Sequence, residues 1–179
     1  MSSESPRASA TEGAIYLMLA ADHARLDKLL DRAAAEPGRI DPAPYDGFRR
    51  GLLKHIAMEE KILLPAAQRL NGGEPLAVAA RLRLDHGAIA ALLVPSPSPR
   101  IVAALRTILA THNQLEEEAG GLYETCDRIV GNEADEIVER LRAAPEVPAA
   151  PHNDGPKVIP AARRALARAG YADLLPEDA

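Results

Sequence analysis

The sequence predicts an all-α protein: an up-down-up-down four-helix bundle followed by a C-terminal extension of short helices. Three observations carry this expectation. Aromatic residues are scarce, four Tyr, one Phe and no Trp in 179 residues, while Ala and Leu abound, which suits close-packed helices better than a β-sandwich built from β-branched and aromatic side chains. Over four long stretches, apolar residues recur at steps of three and four, the period of a helix with one buried face. Short connections marked by Gly and Pro separate these stretches, as they do between antiparallel neighbours in a bundle.

The elements follow in order. Residues 1–10, rich in Ser, are expected to be disordered. Thr11-Glu12 is a helix-start signal, and the first helix should run to about Ala35, ahead of Pro37-Gly38, with Tyr16, Leu19, His23, Leu26 and Leu30 along its buried seam. Asp41-Pro42 pairs an N-cap with a proline at the first helical position and opens a second helix that closes at Asn71-Gly72-Gly73. Its seam is Phe48, Leu52, His55, Glu59, Ile62 and Ala66; Pro65, which lacks a backbone donor, should bend the last turns. The third helix begins at Gly73-Glu74-Pro75, aligns Ala79, Leu82, His86, Ile89 and Leu93, and must stop at Val94 before Pro95, Pro97 and Pro99. Ser98-Pro99 opens a fourth helix with Ile101, Leu105, Ile108, His112, Glu116, Ala119 and Tyr123 on one face and a kink at Gly120-Gly121. The bundle is thus expected over residues 11–130. Residues 131–179 form the extension: a short helix over 133–144, a Pro/Ala-rich linker over 145–160, and a helix over 161–170 placed to dock on the bundle, on a partner protein or on a second copy.

Four of the five histidines belong to one duplicated pattern. Residues 55–60 read His-Ile-Ala-Met-Glu-Glu and residues 112–117 read His-Asn-Gln-Leu-Glu-Glu, and each copy follows an Asp-His pair, Asp22-His23 and Asp85-His86. Residues four apart on a helix differ by about 40° in direction, so His55 with Glu59, and His112 with Glu116, each present two ligands on one inward face. Glu60 and Glu117, about 140° from their histidines, should face solvent or a neighbouring helix. All four histidines fall near mid-helix, hence in one layer of an antiparallel bundle. Two glutamates and four imidazoles in apolar seams would cost several kcal/mol unless paired or bound to cations, and four His with two Glu suit two divalent ions better than one. The candidate metal ligands are therefore His23, His55, Glu59, His86, His112 and Glu116. Tyr16 and Tyr123, each seven residues from a ligand, should lie about 10 Å along the axis, too far to bind metal directly; core packing is expected, with a hydroxyl closing one end of the pocket as the alternative. Asp22 and Asp85 are expected to cap or pair at the surface, and His152, in the linker, to be solvated.

Composition narrows the rest. The net charge of −5 is spread without a basic block, which argues against nucleic acid, and against anionic membranes as partners. The first ten residues lack the apolar run of a signal peptide and no stretch approaches the ~20 apolar residues that span a bilayer, so a cytoplasmic location is expected. Cys126 is the only cysteine, which excludes an intramolecular disulfide and thiolate clusters. A set of imidazole and carboxylate donors points to Fe, Mn or Zn.

The order His, His-x-x-x-Glu, His, His-x-x-x-Glu over roughly residues 12 to 130 resembles the hemerythrin-like (HHE) cation-binding domain, and myohemerythrin is one of the standard four-helix bundles. The resemblance implies that His23, His55, Glu59, His86, His112 and Glu116 hold a non-haem di-iron centre bridged by the two carboxylates and an oxo or hydroxo group, with Mn or Zn as substitutes. Oxygen-carrying hemerythrins have a fifth histidine, four residues from another on the third helix; here the positions at that spacing from His86 are Leu82 and Ala90, which implies a more open site. Their last helix carries its carboxylate one residue further on, so Glu117 stands as a rival to Glu116. The implied function is binding or sensing of O2, NO or peroxide, with weak peroxide or ferroxidase turnover as its enzymatic form. The alternative is a metal-stabilised regulatory or interaction module without small-gas chemistry, to which the C-terminal extension would belong.

Overall fold

In the computed structural model, which describes residues 13–176, every regular element is helical and none is a strand. The segment expected to be disordered and the Thr11-Glu12 start signal lie outside the described residues. Helix α1 spans Ala14–Ala33. Its first turn is capped from a distance: the backbone N–H groups of Ile15 and Tyr16 donate to the two carboxylate oxygens of Asp127, each at 3.0 Å. Helix α2 spans Pro42–Met58, with the Asp41 carboxylate accepting from Ala43 N–H at its start, as its sequence requires.

The second predicted helix is interrupted. After α2 the chain runs through a π-helical turn, Glu59–Leu63, into α3, Leu64–Leu70, which has Pro65 in its first turn. A proline inside a regular α-helix removes a donor and clashes with the carbonyl four residues back, and the wider π turn relieves both. It also rotates the seam. Leu63 is fully buried in place of Ile62, which is only half-buried.

Helix α4, Ala79–Leu92, starts later than its Gly-Glu-Pro signal because Ala79 N–H closes a turn onto Leu76 O at 3.0 Å. Helix α5, Pro99–Glu117, is capped by Ser98. The expected kink near Gly120 is a full break. Glu118 turns to extended backbone, Gly120 takes φ +80°, and a new helix, α6, Leu122–Val130, begins. A side chain at Gly121 would lie 2.8 Å from the carbonyl oxygens of Leu115, Glu116 and Glu118, so only glycine fits there. Helix α6 packs on α1 and α3 as well as on α5.

The extension folds onto the rest. Helix α7, Ala134–Arg142, packs on α1 and the π turn, and α8, Val158–Arg168, packs along α4. Between them, Arg49 donates to Leu93 O and Ala150 O at 2.8 Å each, tying the irregular linker to α2 and to the end of α4. His152 is not a free surface residue, as its place in the linker suggested: it is half-buried, its ring 6.1 Å from that of Tyr45. Among the described residues, no helix is long and apolar enough to cross a membrane.

The apolar side chains gather in two clusters. One contains Leu26, Leu52, Ile89 and Leu109; the other contains Leu19, Met58, Leu82 and Leu122. Each candidate histidine falls in sequence between a member of one and a member of the other, so the polar residues form a layer walled by hydrocarbon on both sides. Gly121→Ala should lower stability by about 1–3 kcal/mol through overpacking, read from the midpoint of urea denaturation. An unchanged midpoint would show that the break after α5 is not held by this contact.

Candidate metal centre

All six residues singled out by their spacing are buried and converge, with Glu59 and Glu116 0% exposed and His55 1%. Each carboxylate faces one histidine of its own helix and one from elsewhere. Glu59 Oε1 lies 3.4 Å from His55 Nε2, and Glu59 Oε2 lies 3.1 Å from His86 Nε2. In the same way, Glu116 Oε1 lies 3.2 Å from His112 Nε2 and Glu116 Oε2 lies 3.4 Å from His23 Nε2. The rings pair accordingly, His23 with His55 at 4.5 Å and His86 with His112 at 4.8 Å between centroids. The site thus has two halves, related as the two copies of the motif are. In one, donor atoms of Glu59, His86, His112 and Glu116 lie within 4.8 Å of one another; in the other, those of His23, His55 and Glu116 do.

The far nitrogen of every ring faces a second acid. His23 Nδ1 meets Glu117 Oε1 at 2.5 Å, His55 Nδ1 meets Asp22 Oδ2 at 2.9 Å, and His86 Nδ1 meets Glu60 Oε1 at 2.7 Å. His112 Nδ1 faces Asp85 Oδ2 at 3.7 Å, an ion-pair contact too long for a hydrogen bond. A carboxylate only accepts, so Nδ1–H donates in the three hydrogen-bonded rings, fixing their orientation and aiming Nε2 at the centre. This corrects one expectation: Asp22 and Asp85 do not merely cap or pair at the surface, because a residue adjacent to a ligand is turned by about 100° and faces the next helix. Glu60 and Glu117 face a neighbouring helix, as expected, and there they meet the outer nitrogens of His86 and His23, so that Glu116 and not its rival Glu117 faces the centre. The signal was present in the doublets Asp-His and Glu-Glu.

Tyr123 is the residue that spacing misplaced. On a continuous helix it would lie two turns from Glu116, but the break at residues 118–121 returns it to the cluster. Its hydroxyl donates to Glu59 Oε1 at 2.7 Å and lies 3.2 Å from each of Glu116 Oε2, His23 Nε2 and His55 Nε2. Gly120-Gly121 was the signal for this turn.

The charges are strongly coupled. Burial opposes the imidazolium of His55, but Glu59 and Asp22 outweigh it and push its pKa up to about 10. His112 is also pushed up to about 10, with Asp85 and Glu116 overcoming burial. Glu59, despite burial, is held well below the usual carboxylate range by His55 and His86, whereas burial and the nearby Glu59 charge raise Glu116. Cys126 contributes nothing here: it is buried and burial pushes its thiol up to about 12.

The donors suit a cation. Glu59 Oε2, Glu116 Oε1 and His86 Nε2 are buried without a hydrogen-bond partner, whereas buried polar atoms are ordinarily satisfied. Imidazoles and carboxylates without thiolate fit Fe, Mn or Zn. The fold and the site together define an all-helical protein with a buried His/Glu cluster of a kind that can hold a metal ion. No protein-family model, curated protein or solved structure matches the chain. In metal-free protein, Glu59→Ala should cost about 1–3 kcal/mol, because it removes the inner acid beside His55 and His86 and leaves the buried Tyr123 hydroxyl without its acceptor. Denaturation in the presence of a chelator measures this, and a neutral or stabilising outcome would contradict the electrostatic account.

Proposed function

We propose that the chain is a hemerythrin-like non-haem iron protein. In this reading α1, α2 with α3, α4, and α5 form an up-down-up-down bundle around two iron ions, for which Mn or Zn can substitute. The bundle is supported by the order of the core. Along α1 the chain passes from the cluster containing Leu19 to that containing Leu26; along α2 it returns from Leu52 to Met58, and α4 and α5 repeat the alternation with Leu82 to Ile89 and Leu109 toward Leu122. His23, His55, Glu59, His86, His112 and Glu116 hold the metal, with both carboxylates shared between the halves. The observation that carries the reading is that Glu59 Oε2, Glu116 Oε1 and His86 Nε2, all buried and all in one half of the site, make ion-pair contacts, Glu59 Oε2 with His86 Nε2 and Glu116 Oε1 with His112 Nε2, but no hydrogen bond.

The function that follows is binding or sensing of O2, NO or peroxide. A bound ferrous pair supplies electrons and coordination positions to such a ligand. The chain supplies the rest: Asp22, Glu60 and Glu117 fix three imidazoles, the two apolar clusters exclude water, and Leu82 and Ala90 bring no further imidazole beside His86. Purified protein loaded with Fe(II) should bind two ions per chain and change its optical spectrum when O2 or NO is admitted. It should also melt higher than the chelated form, by the equivalent of about 2.7 kcal/mol for each bound ion at a free-metal concentration a hundred times Kd. His86→Ala should weaken the metal and abolish the optical response. Iron that fails to bind, or binds without any response to O2 or NO, would contradict the proposal.

One observation favours the second reading, a module that reports metal state to a partner through its C-terminal segment. Arg81 donates to Tyr171 OH at 2.8 Å and pairs with Asp85 at 3.0 Å, and Asp85 faces His112, so a continuous polar path joins the segment after α8 to the site. Hydrogen exchange in α8 that changes on metal loading would support it; identical exchange with and without metal would count against it.

A further inference from the structure

The two halves of the centre are not equivalent, and the difference lies in Tyr123. In the half built from Glu59, His86, His112 and Glu116, the facing atoms Glu59 Oε2, His86 Nε2 and Glu116 Oε1 make no hydrogen bond and no hydroxyl stands among them. In the other half the Tyr123 hydroxyl stands among His23 Nε2, His55 Nε2, Glu59 Oε1 and Glu116 Oε2 at 2.7–3.2 Å. Tyr123 follows Glu116 by seven residues; the position seven after Glu59 is Ala66, so the first copy of the motif has no phenol to offer. Core packing alone does not require the hydroxyl to end at this point, since its ring already packs against Tyr16 in the adjoining apolar cluster.

We infer that Tyr123 is a seventh metal ligand, its phenol oxygen binding the ion held by His23 and His55, while the His86/His112 position lacks such a group and is the one that admits an exogenous ligand. The inference rests on the metal-binding reading above. Donor atoms that share one ion at about 2.1 Å stand about 3 Å apart when they lie at right angles, and the hydroxyl already keeps that separation from four of them. To hold an ion there the Tyr123 phenol would lose its proton to bulk water, its oxygen keeping the O–H electron pair for the metal; without metal that hydroxyl is oriented by Glu59 Oε1, which accepts from it at 2.7 Å. The His23/His55 position would then be closed by a protein oxygen and the His86/His112 position left open. Such asymmetry separates a centre that binds an external ligand at one ion from one that presents two equal ions.

Resonance Raman and visible absorption of the full-length protein, loaded with Fe(II) and oxidised with ferricyanide, test this directly. The expected result is a tyrosinate-to-iron(III) charge-transfer band with resonance-enhanced phenolate ring modes, lost in Tyr123→Phe and kept in Tyr16→Phe. Should Tyr123→Phe fail to fold, retention of the band in Tyr16→Phe, Tyr45→Phe and Tyr171→Phe assigns it, because these are the other three tyrosines of the chain. Two bound irons without phenolate modes would overturn the inference and leave the metal-binding reading standing. Absence of bound iron would overturn both.

Discussion

Charge buried out of reach of water governs this structure. Two glutamates and four histidines occupy a layer with hydrocarbon above and below it, where an unpaired charge costs several kcal/mol. The chain meets that cost by arranging the groups in alternating shells. Inner carboxylates face the Nε2 atoms, and outer carboxylates face the Nδ1 atoms, so that every imidazole lies between two acids. The arrangement is still incomplete from within, since three inner atoms make no hydrogen bond. Such a buried His/Glu group could hold a metal ion.

Two departures from regular helix serve this layer. The π turn at Glu59–Leu63 accommodates Pro65 directly after the ligand pair; consecutive glutamates address the two nitrogens of one ring both there, Glu59 and Glu60 at His86, and at the regular end of α5, Glu116 and Glu117 at His23. The break after Glu117 places Tyr123 against the same centre. Both are driven by residues that cannot continue an α-helix, Pro65 in one case and Gly120-Gly121 in the other. Local irregularity thus sets the difference between the halves, while the repeated motif sets their likeness.

The helical class and the six inward residues were legible in the sequence because both follow from periodicity, and periodicity survives in the long regular stretches of α1, α2, α4 and α5. What spacing could not show lies where the period fails. Ile62 gave way to Leu63 because a π turn carries more residues than an α turn, and Tyr123 moved from a remote position to the centre because its helix ends at Glu117. The roles of Asp22, Asp85, Glu60 and Glu117 were hidden for a different reason. A single helix defines an inside and an outside, whereas these side chains reach sideways to a histidine on another helix, a relation that exists only once the helices are packed. His152 was misjudged likewise, since a linker residue is exposed only if the linker has nothing to lie against, and this one lies against Tyr45.

The central claim is that the buried layer is a two-metal site with Glu59 and Glu116 between the ions. Anomalous diffraction at the iron edge from crystals of the iron-loaded protein addresses it most directly. The account predicts two peaks, one beside His23 and His55 and the other beside His86 and His112. A single peak, or peaks only outside the layer, would contradict it.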